Sequence, residues 1–252
     1  MRLDNYLFEK AYFDSRTKAK QAIERGEIFI DGKLIDKPSY EVPLVFNKKI
    51  EHICKEQFVS LGGYKLNKAL KDFSFNVNEF ICADIGASTG GFTDCLLQNG
   101  AKKVFAVDLN DELLHYKLKS DNRVQSIIAN AKNLSRNNFP DKLDLIVADL
   151  SFISITSVID VFNKLLDDRK HLLLLIKPQF ESGERRRHKN GVIRDKKLQI
   201  NACINVYDVA VSFGFCPINF TTAPIHEDKN VEFLMLFEKN GKIKLQKEQL
   251  TF

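Results

Sequence analysis

A run of glycines directly after an apolar stretch constrains this chain more than any other feature. Residues 79–82 read as the start of a buried strand. The chain then passes through Asp84, Gly86, Ala87, Ser88, Thr89, Gly90, Gly91 and Phe92 into an amphipathic helix expected over 91–99. A strand that breaks into glycines and then into a helix lets backbone approach a ligand closely. It also offers that ligand the unpaired N–H groups of a helix N-terminus. The spacing is G-x-x-x-G-G rather than the G-x-G-x-x-G of dinucleotide-binding folds. Asp108 stands 22 residues after Gly86, at the end of the next apolar run, where an acidic residue can grip ribose hydroxyls. The stretch points to an adenosine-type cofactor.

From residue 80 onward strands and helices alternate. Strands are expected at 80–85, 103–107, 125–128, 143–148 and 170–176, and helices near 91–99, 110–118, 154–166 and 193–212. The segments 219–222 and 231–237 close the chain as an antiparallel pair. Near-continuous apolar strands separated by helices predict an α/β fold, a mostly parallel sheet covered on both faces. Such sheets bind ligands beyond the carboxyl ends of their strands. Asp84, Asp108 with Leu109, Asn130 with Ala131, Asp149 and Lys177 all fall at that edge. Glu232 returns to it at the start of the last strand, and Lys65 lies on a helix just before the sheet. Two lysines and two carboxylates thus converge beside the glycine loop. A ribose hydroxyl is a poor nucleophile until its proton is removed, and a lysine can remove it if desolvation brings its pKa well below ~10.4.

The first 60 residues have a different character. Ser15 reads as the N-cap of a basic helix over 16–25, stopped by Gly26. Asp31-Gly32 between 28–30 and 33–35 signals a tight hairpin. Arg2-Leu3-Asp4, Ser15-Arg16-x-x-Ala19, Ala22-Ile23-x-x-Gly26 and Asp31-Gly32 together resemble the S4 RNA-binding domain. That resemblance implies a helix face on which Arg16, Lys18 and Lys20, with Arg2, meet RNA phosphates. Residues 1–58 hold 11 basic and 10 acidic residues, so affinity for RNA must come from one face. Gly62-Gly63 reads as a hinge leading into a helix over 66–73.

Several classes are excluded by composition. The whole chain carries a formal charge of +5, which permits a polyanionic partner without demanding one. Cys54, Cys82, Cys95, Cys203 and Cys216 form no C-x-x-C pair and read as reduced core residues in a cytoplasmic protein, with no metal site. Met1-Arg2-Leu3-Asp4 does not open a signal peptide, and the apolar run at 172–176 is too short to span a bilayer.

The stretch at 84–94, taken with Lys65, Asp149, Lys177 and Glu232, resembles the FtsJ-like ribose 2′-O-methyltransferases. The S4-like front, Gly62-Gly63-x-Lys65-Leu66, Ala148-Asp149-Leu150-Ser151-Phe152-Ile153-Ser154 and Leu175-Ile176-Lys177-Pro178-Gln179-Phe180-Glu181 narrow the likeness to the TlyA family. Members of that family methylate cytidine 2′-hydroxyls in ribosomal RNA with S-adenosylmethionine, and some carry a haemolysin label. The resemblance implies a Rossmann-like methyltransferase with a seven-stranded sheet behind a small α+β S4 domain. Its expected layout is 1–59 for the S4 domain, 60–64 for the hinge, 65–245 for the methyltransferase and 246–252 for a tail. It implies Lys177 as proton acceptor, Asp149 as its orienting group, and Lys65 with Glu232 as positioners of the ribose. It also implies cofactor contacts from Asp84, Gly86, Ala87, Ser88, Thr89, Gly90, Gly91, Phe92, Asp108, Leu109, Asn130, Ala131 and Asp149.

Two departures stand out. Leu61 occupies the place where the family often has Arg, and the loop containing Arg185, Arg186, Arg187 and Lys189 is more basic than expected, suiting it to phosphate contact. The short C-terminus resembles that of the shorter family members, which implies 23S rRNA as the substrate, with 16S rRNA as a further target left open. The expected partner is therefore ribosomal RNA, with no DNA and no membrane, bound by a monomer. No Pro-Cys follows the fourth strand, which argues against cytosine methylation through a cysteine nucleophile. Asp149-Leu150-Ser151-Phe152 lacks the two prolines of the D-P-P-F motif of amino-methyltransferases, so base-amino methylation is the enzymatic runner-up. A non-catalytic RNA-binding or ribosome-assembly factor is the alternative from another class. Intact Gly86, Gly90, Gly91 and Asp108 speak against a decayed site.

Overall fold

The computed structural model describes residues 1–24, 26–43, 46–52, 57–181, 192–224 and 229–251, and the chain divides into two compact units, Met1–Gln57 and Phe58–Phe252. In the first unit α1 (Leu3–Glu9) and α2 (Arg16–Glu24) share a core with a three-stranded antiparallel sheet of order β2-β1-β3. The strands are β1 (Ile28–Ile30), β2 (Lys33–Ile35) and β3 (Ile50–His52). Ala19, Ala22 and Ile23 form the buried face of α2, as their spacing predicts. Between β1 and β2, Asp31 (φ 49°) and Gly32 (φ 75°) both take the left-handed backbone that a two-residue hairpin turn requires.

The second unit is built on a seven-stranded sheet of order β6-β5-β4-β7-β8-β10-β9. Strands β4 (Ile81–Ile85), β5 (Lys103–Asp108), β6 (Val124–Ile128), β7 (Leu145–Ala148) and β8 (His171–Ile176) run parallel. The strands β9 (Phe215–Thr222) and β10 (Phe233–Lys239) are antiparallel to them. Side chains alternate across a sheet, and here both faces are covered. Ile146, Ala148, Leu172, Leu174 and Ile176 enter the core beneath α6 (Ile159–Leu165) and α8 (Lys196–Ser212). Leu145, Val147, Leu173 and Leu175 enter the core beneath α3 (Leu61–Asp72) and α4 (Gly91–Gln98). That is why β7 and β8 read as unbroken apolar runs. The expected α/β architecture is the one observed.

Four local expectations are corrected. The helix expected at 110–118 is reduced to one turn, α5 (Tyr116–Lys119). The Asn110 side chain accepts from Glu112 N–H in a local turn, and His115 caps the short helix through Lys117 N–H. The segment expected as a helix from 154 opens as a 3₁₀ turn (Ile155–Val158) before α6. Helix α8 starts at Lys196 because Asp195 caps it, accepting from Lys197 N–H at 2.8 Å. Finally, α3 begins at Leu61, so Gly62 and Gly63 form its first turn instead of preceding it. A Cβ on Gly63 would lie 2.4 Å from Phe58 carbons and 3.0 Å from the Gly91 carbonyl, so the glycine serves close packing of α3 on α4.

Candidate active site

The parallel strands end in the residues that the sequence singles out. After β4 the chain turns through Gly86 (φ 86°), Ser88 (φ 49°) and Gly90 (φ 91°), and Gly90 caps α4. A Cβ on Gly86 would fall 2.5 Å from the Asp149 carbonyl oxygen, so the loop after β4 touches the loop after β7. A Cβ on Gly90 would lie 2.2 Å from a Leu118 methyl, so Gly90 is a packing and turning residue more than a lining one. Asp108, the last residue of β5, accepts from Ser88 N–H at 2.8 Å and from Leu109 N–H at 2.6 Å. Each carboxylate oxygen keeps a further lone pair for a hydroxyl.

Two cavities meet at Gly86, Ser88 and Asp149. The larger, about 460 Å³, is lined by Asp108, Leu109, Asn130, Ala131, Leu150 and Phe152 among others. Its mixture of an acidic strand end and apolar walls suits a nucleoside. The smaller, about 120 Å³, is lined by Asp84, Ala87, Thr89, Gly91 and Phe92 and by Gly62 at the start of α3. The Asp84 side chain is fully buried. Its Oδ2 accepts from Thr93 N–H at 2.8 Å and from the Thr93 hydroxyl at 2.7 Å, but Oδ1 is buried with no partner. Burial pushes the Asp84 carboxyl up to about 7. The Thr93 hydrogen bonds oppose that rise, and the charges of Asp149 and Asp108 add to it.

The four candidate catalytic residues assemble as two pairs. Lys177, directly after β8 and only 8% exposed, places Nζ 2.5 Å from Asp149 Oδ1 and donates to Ser151 Oγ at 2.8 Å. The Lys177–Asp149 contact is one of charge, because Asp149 Oδ1 lies outside the alignment of a hydrogen bond. Lys65 on α3 meets Glu232 Oε2 at 2.5 Å. The antiparallel register that pairs Phe233 with Ile176 sets Glu232 across from Lys177, so both pairs sit at one edge of the sheet. Lys65 and Glu232 line a third cavity of about 310 Å³ with Leu61, Gln179, Val192 and Pro224.

Sequence reasoning missed several residues here. Ser151, next but one to Asp149, holds Lys177. Glu181, on the turn α7 (Pro178–Glu181), accepts from Ser154 Oγ and from Ile155 N–H at 2.8 Å, which ties the loop after β7 to the loop after β8. Burial pushes its carboxyl up, against the effect of those two hydrogen bonds. Phe152 takes a left-handed φ of 72°, is 76% exposed as a residue, and has its ring centroid 5.7 Å from that of Phe180. The signal was available in the ordered motifs around Asp149 and Lys177, but which of their side chains turn inward is set by the loops.

In the first unit, Arg2 and Arg16 converge on Asp4, which is buried. Arg2 donates to it at 3.0 and 3.1 Å, and Arg16 at 3.2 Å. Burial opposes the Asp4 charge, yet the two guanidinium groups outweigh it and hold the carboxyl below its usual range. Lys18 pairs with Asp14 at 2.7 Å and Lys20 with Glu24 at 3.7 Å. Arg185, Arg186, Arg187 and Lys189 lie outside the described residues. Cys82, Cys95 and Cys203 are buried, and burial pushes their thiols up, that of Cys95 to about 12. Among the described residues no His, Cys, Asp and Glu cluster suits a metal ion, and no helix is long and apolar enough to cross a membrane.

Comparison with known proteins agrees with this geometry. The model of the FtsJ-like methyltransferases matches residues 58–239, and that of the S4 domain matches residues 1–44. Hemolysin A of Brachyspira hyodysenteriae is 42% identical over 240 residues, 94% of this chain and 99% of that protein. The 16S/23S rRNA (cytidine-2′-O)-methyltransferase TlyA of Mycobacterium tuberculosis is 33% identical over 236 residues, 93% of this chain and 88% of that protein. The solved structure of a candidate hemolysin from Streptococcus thermophilus superposes with a TM-score of 0.74 at 34% identity, covering 99% of this chain and 94% of its own.

Proposed function

Because the chain belongs to the FtsJ-like methyltransferases and bears an S4 domain, we propose that it methylates the 2′-hydroxyl of a cytidine in ribosomal RNA. Its cofactor is S-adenosylmethionine, and the residues present fit that molecule. Asp108 suits the ribose hydroxyls, and Asn130 and Ala131 line the same cavity for the base. The buried, unpartnered Oδ1 of Asp84 suits the cationic amino group of the methionine end. The cofactor supplies a methyl group already activated on a sulfonium.

What remains for the chain is alignment and proton removal. Lys177 takes the hydroxyl proton, with its Nζ fixed by Asp149 and Ser151. The Lys65–Glu232 pair positions the ribose from the other side of the edge. Good alignment of this kind contributes on the order of 7–11 kcal/mol to lowering a barrier. The single observation that carries the reading is the Lys177–Asp149–Ser151 cluster at the mouth of the cofactor cavity, because a passive RNA-binding scaffold has no use for it. The S4 face with Arg2, Arg16, Lys18 and Lys20, and the loop of Arg185, Arg186, Arg187 and Lys189, serve as phosphate contacts that position the substrate. The large ribosomal subunit is the favoured substrate, met in the cytoplasm by a monomer that engages neither DNA nor membrane.

The test is transfer of labelled methyl from S-adenosylmethionine to small subunits, large subunits and the naked rRNAs, with the product nucleoside mapped. A 2′-O-methylcytidine is expected. A base-methylated product would replace the reading with amino methylation, and cofactor binding without any transfer would leave a non-catalytic RNA-binding factor.

A further inference from the structure

The candidate proton acceptor and the groups that hold it come from two loops. Asp149 and Ser151 lie between β7 and the 3₁₀ turn Ile155–Val158, and Lys177 follows β8 directly. The loop at 149–154 is fixed at its start, where Asp149 N–H donates to the Ile85 carbonyl at 3.1 Å. Leu150 and Ile153 pack against the core, but Ser151 and Phe152 are exposed, so burial does not hold the residue that meets Lys177. The far end is fixed from the other loop. Glu181, four residues after Lys177 on α7, accepts from Ser154 Oγ and from Ile155 N–H at 2.8 Å.

Helix capping does not account for that carboxylate. Ser154 already caps the 3₁₀ turn, accepting from Thr156 N–H at 3.3 Å. Glu181 is half-buried, both of its donors are neutral, and burial pushes its carboxyl up. A carboxylate in that setting is a poor choice for stability alone, since two neutral donors offset only part of the lost hydration. What it does supply is a link between the chain that carries Lys177 and the loop that carries Asp149 and Ser151. Lys177 Nζ donates to Ser151 Oγ at 2.8 Å, so the link closes a ring of contacts through Lys177, Ser151, Ser154 and Glu181.

We infer that Glu181 is a positioning residue for methyl transfer: by clamping the loop at 149–154, it holds Ser151 where Ser151 fixes the Lys177 amine. Glu181 lines none of the three cavities of the site, so it acts through Ser151 and not on substrate or cofactor. The inference rests on the proposed ribose methylation and adds to it a residue outside the reacting groups. A misplacement of about 1 Å in a reacting group slows a reaction by about 10²-fold.

The test is single-turnover methyl transfer to rRNA at saturating cofactor and RNA. Rates are expressed per site able to bind S-adenosylmethionine, which removes any misfolded fraction from the comparison. Glu181→Ala is expected to lower the rate by about 10–100-fold, with the dissociation constants of cofactor and rRNA within about twofold of wild type. Glu181→Gln still accepts from Ile155 N–H and still meets the Ser154 hydroxyl, so it should keep most of the rate. Asp195→Ala removes the cap of α8 without touching the link. It lowers the Tm and leaves the rate per site unchanged. Ser151→Ala slows transfer by itself, and combined with Glu181→Ala the loss should fall well short of the product of the two single losses, because both act on one contact.

Wild-type rates in Glu181→Ala or in Ser151→Ala would overturn the inference. So would single losses that multiply, a Glu181→Gln variant as slow as Glu181→Ala, or an Asp195→Ala variant that loses as much. In each of those cases a slow Lys177→Ala variant would leave ribose methylation standing. A Lys177→Ala variant as fast as wild type would overturn the assigned proton acceptor and this inference together.

Discussion

Arg2 and Arg16 in the first unit share the buried carboxylate of Asp4, whereas Asp84 in the second keeps a buried oxygen that meets no donor. The contrast follows from what each region has to meet. An arginine has five N–H donors in a fixed fork, so it can hold a structural carboxylate and still face a phosphate. A pocket for an ammonium has to hold acceptors in reserve, and that reserve costs stability as long as it stays unfilled. On the proposed reading, the first unit builds its polyanion-facing surface from groups that also fold it. The second keeps some of its site chemistry apart from its folding, and the two lysine–carboxylate pairs mark where those roles meet.

Replacing Lys177 breaks the contrast most sharply. Lys177→Ala is expected to lower single-turnover methyl transfer by about 10²–10⁴-fold, the usual contribution of a positioned acid or base. Cofactor affinity, measured by calorimetry, should change little, because Lys177 lies beside the cofactor cavity and does not line it. Transfer at the wild-type rate would show that the strand edge holds no proton acceptor at this position.

Asp84 tests the reserve directly. Its carboxyl sits at about 7 when folded, well above the 3.8 of the free side chain. The folded state therefore keeps its proton where the unfolded chain has lost it. That contribution to stability is complete below about pH 4 and is lost as pH rises through about 7, a change on the order of 4 kcal/mol. Asp84→Asn removes this decline, so the stability gap between wild type and variant should shift in the variant's favour from about pH 5 to about pH 8 in denaturant titrations. Cofactor binding should release a proton near neutrality in the wild type and none in Asp84→Asn, read by calorimetry in buffers of different ionisation enthalpy. A gap independent of pH would mean that Asp84 stays charged in the fold.

Much of this was legible in the sequence because the physics is local. The apolar runs of β7 and β8 announce strands covered on both faces; Asp84 and Asp108 fall in the last two residues of β4 and β5, and Asp149 and Lys177 directly follow β7 and β8. Less legible were features that depend on residues far apart in the chain. Ser151 holding Lys177 and Glu181 tying two loops together both follow from how loops after β7 and β8 lie against each other. The Gly62-Gly63 pair shows the same limit. Its composition suggests a hinge, while its packing against Phe58 and Gly91 makes it the floor of a close helix contact. In the sequence Asp4 stands only as part of a motif, since nothing local reveals that two arginines converge on it.

Gly63→Ala separates packing from flexibility. The added methyl has no room beside Phe58 and the Gly91 carbonyl, and such overpacking costs about 1–3 kcal/mol. Because Gly91 opens α4 and lines the smaller cavity, cofactor affinity should weaken along with the Tm. A hinge role would predict the opposite pattern, with an unchanged Tm and slower transfer to RNA.

The smallest effects belong to the first unit, where the two kinds of cation can be told apart. Arg16→Ala leaves the buried Asp4 with Arg2 and the Asn5 N–H, and losing a hydrogen-bonded cation from a buried carboxylate should cost about 1–2 kcal/mol once the half-exposure of Arg16 is allowed for. Lys18 pairs with a fully exposed Asp14, so Lys18→Ala should leave the melting curve where it is. Both variants should weaken binding to rRNA, and each lost phosphate contact reduces the slope of log affinity against log salt by about one. If Lys18→Ala left both the affinity and the salt slope unchanged, its ion pair with Asp14 would be a solvated helix contact and nothing more. The dual use of charge would then be confined to the two arginines on Asp4.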